Sequence, residues 1–215
     1  SSAPNYESPT DTGTNNVYDV AVTISDGTNT GATITYQITI TDADEFNVGA
    51  PSDTDADANT IAEDIANGQP AQITASSSDA DGTTNTITYA ITAESCTGAF
   101  TIGESTGVVT VLDTNDINRE SGETCTLEVT ATSSDTSTAA TTFTVTLTDV
   151  DEFNMGATSD ADATANTVAE NAADNTAVGI TASASDADAT ATTAYTMSID
   201  TGACDGWFDI GTTDG

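Results

Sequence analysis

Apolar side chains recur at every second position through most of this chain: Tyr18, Val20, Val22, Ile24, then Ile34, Tyr36, Ile38, Ile40, and later Phe143, Val145, Leu147. Threonine fills the sites between, as at Thr33, Thr35, Thr39 and Thr41 or at Thr142, Thr144, Thr146 and Thr148. A period of two with β-branched residues on both faces predicts strands with one face buried and one wet. Turn clusters such as Asp26-Gly27-Thr28-Asn29 and Asp81-Gly82 interrupt the runs at short intervals. That rhythm predicts an all-β sandwich with almost no helix.

Sliding the sequence along itself by 107 residues superposes Thr41-Asp42-Ala43-Asp44-Glu45-Phe46-Asn47 on Thr148-Asp149-Val150-Asp151-Glu152-Phe153-Asn154. At the same shift Ala62-Glu63-Asp64 meets Ala169-Glu170-Asn171, and Asp79-Ala80-Asp81 meets Asp186-Ala187-Asp188. With small indels Tyr89 meets Tyr195, Cys96 meets Cys204, and Phe100-x-Ile102 meets Phe208-x-Ile210. Copies this long are whole domains. Residues 48–154 form one entire copy, with seven strands expected near 59–63, 71–76, 86–92, 99–103, 108–112, 124–132 and 141–148. Residues 1–47 are the last part of a preceding copy, and residues 155–215 are the first part of a following one. Neither partial copy has a counterpart of the strand at 108–112. The organisation fits an excerpt of a longer array, or a protomer whose halves are completed by neighbours.

Charge narrows the function. The chain has 35 acidic residues against one basic residue, Arg119, and no His, for a net charge of −34. Without Lys there is no phosphate-gripping P-loop, Schiff base or Lys-Asn crosslink; without His there is no Ser-His-Asp triad, His-bound zinc or imidazole switch. So acidic a surface repels nucleic acid and anionic membranes. The natural partner is a cation. The carboxylates gather at the copy boundaries, and a hard divalent ion with six to eight oxygen ligands, calcium above all, suits them. Paired carboxylates could in principle do glycosidase work, but here they recur with the repeat, as ligands do, so we expect no enzyme. A second acidic series, Asp53-x-Asp55-x-Asp57, lacks the Gly and Glu of an EF-hand loop and reads as a linker.

The order Ala-Glu-Asp near the first strand, Asp-Ala-Asp after the second, Asn118-Arg119-Glu120 in mid-copy and Asp-x-Asp-Glu at the linker resembles the cadherin repeat, in the form found in bacterial surface proteins. Phe100-Thr101-Ile102 followed by Ser105-Thr106-Gly107-Val108 matches the same family's mid-domain pattern. The resemblance implies tandem Greek-key sandwiches with Ca2+ held where consecutive copies join. Carried over by position, the first junction would use Glu7, Asp42, Asp44, Glu45, Glu63, Asp79, Asp81 and Asp135. The second would use Glu120, Asp149, Asp151, Glu152, Glu170, Asp186 and Asp188. Asp26, as the match of Asp135, would serve the junction before the first fragment. The linker Asp42-Ala43-Asp44-Glu45-Phe46 departs from the family's Asp-x-Asn-Asp-Asn, and Asn5 and Asn118 replace an Asp, which implies two ions per junction rather than three.

The resemblance also places the end of the third strand beside the start of the sixth. Cys96 and Cys125 would then meet as a disulfide, in an extracellular setting. It implies a mechanical role: a calcium-stiffened spacer or stalk of a bacterial surface adhesin or fibre. Expected partners are neighbouring repeats or identical chains, together with a cell-surface protein or glycan. Two other readings stay open. One is a subunit that polymerises head to tail into a filament, sheath or surface layer. The other is a carbohydrate-binding module using exposed aromatics such as Trp207, Tyr6 and Tyr195, although Trp207 more readily reads as core or edge packing.

Overall fold

The computed structural model describes residues 3–188, 190–198 and 206–211. Among these residues there are twelve strands and no α-helix; a 3-10 turn at Thr114–Asp116 is capped by Asp113, whose side chain accepts from the Asn115 amide. The backbone separates into two compact units. The first comprises Ser1–Ile61, Ile65–Ile117 and Thr124–Thr146; the second comprises Ala62–Asp64, Asn118–Glu123 and Leu147–Gly215.

The first unit opens with an antiparallel hairpin of β1 (Val17–Val22) and β2 (Ile34–Thr39). Two four-stranded sheets then form the sandwich. One contains β3 (Ser52–Asp53), β5 (Pro70–Ser76), β8 (Val108–Val111) and β7 (Phe100–Ile102), in that order. The other runs β4 (Thr60–Ala62), β10 (Thr138–Thr148), β9 (Thr124–Ser133), β6 (Ile87–Glu94), and its last residues continue into the second unit. All seven strands expected in residues 48–154 are present. The short β3 is additional.

Alternation becomes burial in this sandwich. Cys125, Leu127, Val129 and Ala131 from β9 and Phe143, Val145 and Leu147 from β10 are buried, while the threonines between face outward. Antiparallel register sets Phe143 opposite Leu127 and Val145 opposite Cys125, so the apolar residues share one face. Ala71, Ile73 and Ala75 of β5, Val109 and Val111 of β8, and Phe100 supply the facing layer. Gln72 takes a left-handed φ of 58° where the β5–β8 register shifts, as a bulge requires. Gly107, at φ 69°, lies so close to the Ala75 carbonyl oxygen that any Cβ would collide with it.

The hairpin departs from the expectation of one buried face. Val20, Val22, Ile34, Tyr36 and Ile38 are 40–54% exposed. Alternation makes a face able to be buried, but a second sheet must cover it, and among the described residues none covers this one. Asp26 closes a turn by accepting from the amides of Thr28 and Asn29.

The second unit holds β11 (Ser159–Asp160) paired with β12 (Ala182–Ser183). Asp53 and Asp160, one repeat apart, play the same part. Each carboxylate accepts from the amide two residues on and from a strand amide, of Thr74 in one case and Thr181 in the other. The Asp-x-Asp-x-Asp series is thus a ladder of side-chain turns that fastens the first short strand of each copy.

Cys96 and Cys125 form a disulfide with Cα atoms 5.5 Å apart, tying the segment after β6 to the start of β9. Cys204 lies outside the described residues. Because 29 residues separate the linked cysteines, the bridge restricts the unfolded chain appreciably. Reduction, or Cys96→Ser with Cys125→Ser, is expected to lower stability by about 3 kcal/mol. Urea unfolding with and without reductant measures this, and coincident midpoints would contradict it.

Candidate metal centre

In the first unit the linker after β2 carries Asp42, Asp44 and Glu45. Two sets of carboxylates converge on it: Glu7, Asp42 and Glu45 form one group, and Asp44, Asp81 and Asp135 another, with the oxygens of each group within 4.8 Å of one another. The scaffold is built from hydrogen bonds to the fully buried Asp81. One of its oxygens, Oδ1, accepts from the amides of Glu45 (3.1 Å) and Phe46 (3.3 Å), which fixes the linker against the turn after β5. Asp79 accepts from the amide of Asp81, Asp135 from that of Ser137, and Asp42 from the hydroxyl of Thr83. Four other oxygens are buried with no hydrogen-bond partner: Glu7 Oε1, Asp42 Oδ1, Asp79 Oδ2 and Asp81 Oδ2.

The second unit repeats this construction 107 residues on. Asp188, also buried, accepts from the amides of Glu152 and Phe153; Asp186 accepts from the amide of Asp188, and the Thr190 hydroxyl donates to Asp149. Glu63, Glu120 and Glu152 form a third group with oxygens within 4.8 Å of one another. Glu63 is buried and accepts from Val150 (2.8 Å) and Arg119 (2.6 Å) through their amides. The Arg119 guanidinium pairs instead with Glu123 at 3.1 Å.

The geometry groups Glu63 differently from the expectation. Glu63 joins Glu120 and the second linker, not the first. The Glu63 amide donates to the Thr148 carbonyl, just as Thr146 donates to Asn59, so β4 and the end of β10 advance together and deliver Glu63 to the linker that follows. Glu170 is exposed and belongs to no acidic group among the described residues. Asp26 accepts from the amides of Thr28 and Asn29 in its turn and belongs to no acidic group among the described residues. Asp151 lies within the field of Asp188, Asp186 and Asp149. The sequence reading missed the two hydroxyl donors, Thr83 and Thr190. They too are 107 residues apart, so the repeat itself was the available signal.

Crowding of like charges shows in the acidities. Asp44 is raised by partial loss of water and by the Asp135 and Asp81 carboxylates, and Glu45 by loss of water and by Glu7 and Asp42. Asp151 is raised by Asp188 first. Glu152 is pushed up to about 7 by desolvation, then by Glu63, the hydrogen bond to Asp188 and Glu120. Asp42 is held low chiefly by the Thr83 hydroxyl, and Asp79 by that of Ser133. At Asp188 desolvation acts upward, but the amides of Glu152 and Phe153 outweigh it. Donors thus keep some oxygens ionised while their neighbours resist ionisation, as in a site that a cation completes.

The family model of the cadherin domain matches residues 58–148. The fold is cadherin-like: the chain is similar to mouse cadherin-23 EC22-24 at 23% identity and TM-score 0.64, covering 87% of this chain and 57% of that one. It is similar also to the protocadherin gammaB4 extracellular domain (20% identity, TM-score 0.66, 94% of this chain and 33% of that one). A third likeness is to protocadherin gammaB7 EC3-6 in a cis-dimer structure (18%, TM-score 0.64, 93% and 49%). The chain therefore spans between 33% and 57% of the length of these structures. No curated protein matches it. Cadherin domains are a non-enzymatic adhesion fold and generally bind Ca2+. Among the described residues no helix is long and apolar enough to cross a membrane.

A pH dependence follows for the chain kept free of metal by chelator. Between the ordinary Glu value of 4.5 and the folded value of about 7, the folded chain holds a proton that the unfolded chain has lost. Its stability therefore declines as pH rises through that window. Calorimetry in chelator should find a higher melting temperature at the acid side of the window than above it, and Glu152→Gln should shrink the difference. Equal midpoints would refute this.

Proposed function

We propose that this chain is a calcium-stiffened extracellular repeat module, a spacer or adhesive stalk of a bacterial surface adhesin or fibre. The observation that carries the reading is the set of buried carboxylate oxygens without hydrogen-bond partners around the first linker. Ionised oxygens in that condition are costly unless a cation meets them. Glu7, Asp42, Glu45, Asp44, Asp79, Asp81 and Asp135 would hold Ca2+ at the first linker. Glu63, Glu120, Asp149, Asp151, Glu152, Asp186 and Asp188 would hold it at the second. All are hard oxygen donors, and no softer ligand stands among them.

The bound ion supplies positive charge and oxygen coordination. The protein does the rest. Asp81 and Asp188 grip the linkers by their amides, Thr83 and Thr190 hold one oxygen of Asp42 and of Asp149, and Asp42 Oδ1 and Asp81 Oδ2 would be available to a cation. Without it, repulsion keeps each linker loose; with it, linker and flanking segments become one mechanical element. Extracellular sites of this kind bind at about 10⁻⁴ to 10⁻³ M. Tenfold excess over the dissociation constant then contributes roughly 1.4 kcal/mol per site.

Chelation should lower the melting temperature and broaden the interdomain distances seen by small-angle scattering, and added calcium should restore both. Asp81→Asn keeps the shape that accepts the two linker amides but removes a charge. It should reduce the calcium-induced rise in melting temperature while leaving the chelated protein as stable as the parent, or more so. If the parent chain is indifferent to calcium, the reading fails.

A further inference from the structure

Each linker cluster draws two carboxylates from the segment that follows one strand: Asp79 and Asp81 after β5, Asp186 and Asp188 after β12. Where those carboxylates stand depends on how the segment leaves its strand, and two hydrogen bonds fix that course in both units. The amide of Ser77, two residues before Asp79, donates to the phenol oxygen of Tyr89 at 2.9 Å. The amide of Ala184, two residues before Asp186, donates to the phenol oxygen of Tyr195 at 3.1 Å. One residue further on, the Ser78 carbonyl accepts from the Gly49 amide at 2.9 Å, and the Ser185 carbonyl accepts from the Gly156 amide at 2.7 Å. Gly49 and Gly156 lie just past the linkers. Each acidic segment is therefore held by a tyrosine on one side and by the chain leaving the linker on the other.

Tyr89 is itself firmly placed. It lies in β6 opposite Ala131 of β9, and its amide donates to the Glu104 carbonyl at 2.8 Å, so its backbone is tied on both sides. Its half-buried side chain reaches from there to the turn after β5. Further along the same segment, the Asn85 side chain donates to the Asp81 carbonyl at 2.6 Å. Asp81 in turn accepts from the amides of Glu45 and Phe46, so what Tyr89 holds is passed on to the linker. The two units differ around this contact. The Ser77 hydroxyl also donates to the Gly49 carbonyl, which Ala184 has no hydroxyl to do, and no Asn stands between Asp188 and Tyr195. The phenol oxygen is thus the side-chain tie to the acidic segment's entry that both units share, and a phenylalanine ring would fill the same space without it.

We propose that Tyr89 and Tyr195 are positioning residues for the two linker clusters: each phenol oxygen holds the amide two residues before an Asp-Ala-Asp segment and so sets where its carboxylates, and the linker they grip, are placed. Neither tyrosine is a ligand. Without the hydroxyl, the Ser77 amide turns to water, and repulsion among Asp44, Asp79, Asp81 and Asp135 is free to spread the segment. A cation that binds must then order the segment itself, which weakens its affinity, as loss of an outer hydrogen bond does at metal sites in general. The effect on calcium rests on the reading proposed above; the effect on the linker does not.

Two measurements on the 215-residue chain test this, with the parent compared to Tyr89→Phe, Tyr195→Phe and both together. In the first, calcium is titrated against a competing chromophoric chelator. Each single variant should weaken binding at one linker roughly tenfold and leave the other as in the parent, and the double variant should weaken both. In the second, amide hydrogen exchange is followed by NMR in excess chelator. Exchange should speed up at Glu45 and Phe46 in Tyr89→Phe, and at Glu152 and Phe153 in Tyr195→Phe, because Asp81 and Asp188 hold those amides. A role in general stability alone would lower the melting temperature equally with and without calcium and leave the affinity unchanged; that result would overturn the proposal, as would parent-like exchange at the linker amides. A parent that binds no calcium would refute the calcium reading, and the exchange measurement would then decide by itself whether the tyrosines place the linkers.

Discussion

Mutual repulsion among carboxylates is the constraint on which the linkers of this protein depend. The first linker brings seven acidic side chains into one neighbourhood, and the second brings as many, with Arg119 the single basic residue of the chain and its guanidinium turned to Glu123. Left to themselves such groups spread into water. Here they do not, because backbone amides and hydroxyls hold individual oxygens in place. The upward shifts at Asp44, Glu45, Asp151 and Glu152 measure the resulting frustration.

The two buried aspartates show how the frustration is maintained. Asp81 and Asp188 each turn one side toward two consecutive linker amides. At Asp188 the two amides outweigh the loss of water and hold the carboxyl below its ordinary value. The linker is thereby anchored, and its own acids are carried into the cluster. Phe46 and Phe153, at the linker's last position, give their amides to this arrangement, while their side chains are about 45% exposed.

Much of this was legible without coordinates. Strand positions followed from alternation because the inward face is apolar from Cys125 to Ala131 in β9 and from Phe143 to Leu147 in β10. The 107-residue repeat identified the acidic segments, and the family resemblance joined Cys96 to Cys125. Other features were not legible. Glu63 was allotted to the wrong linker because local spacing does not say which end of the sandwich a strand runs toward, and only the pairing of β4 beside β10 decides that. Thr83 was overlooked because its partner, Asp42, is 41 residues away, and one threonine among 46 carries no mark of its own.

The sequence alone determined which residues are able to pair, alternate and attract a cation, since those are properties of side-chain type and local period. Tertiary structure decided which of them are used. Val20 and Leu127 occupy equivalent positions in equivalent strands, yet one is 40% exposed and the other is fully buried. The difference lies in whether a second sheet is present to cover the face, and burial is a relation between surfaces that no single strand contains.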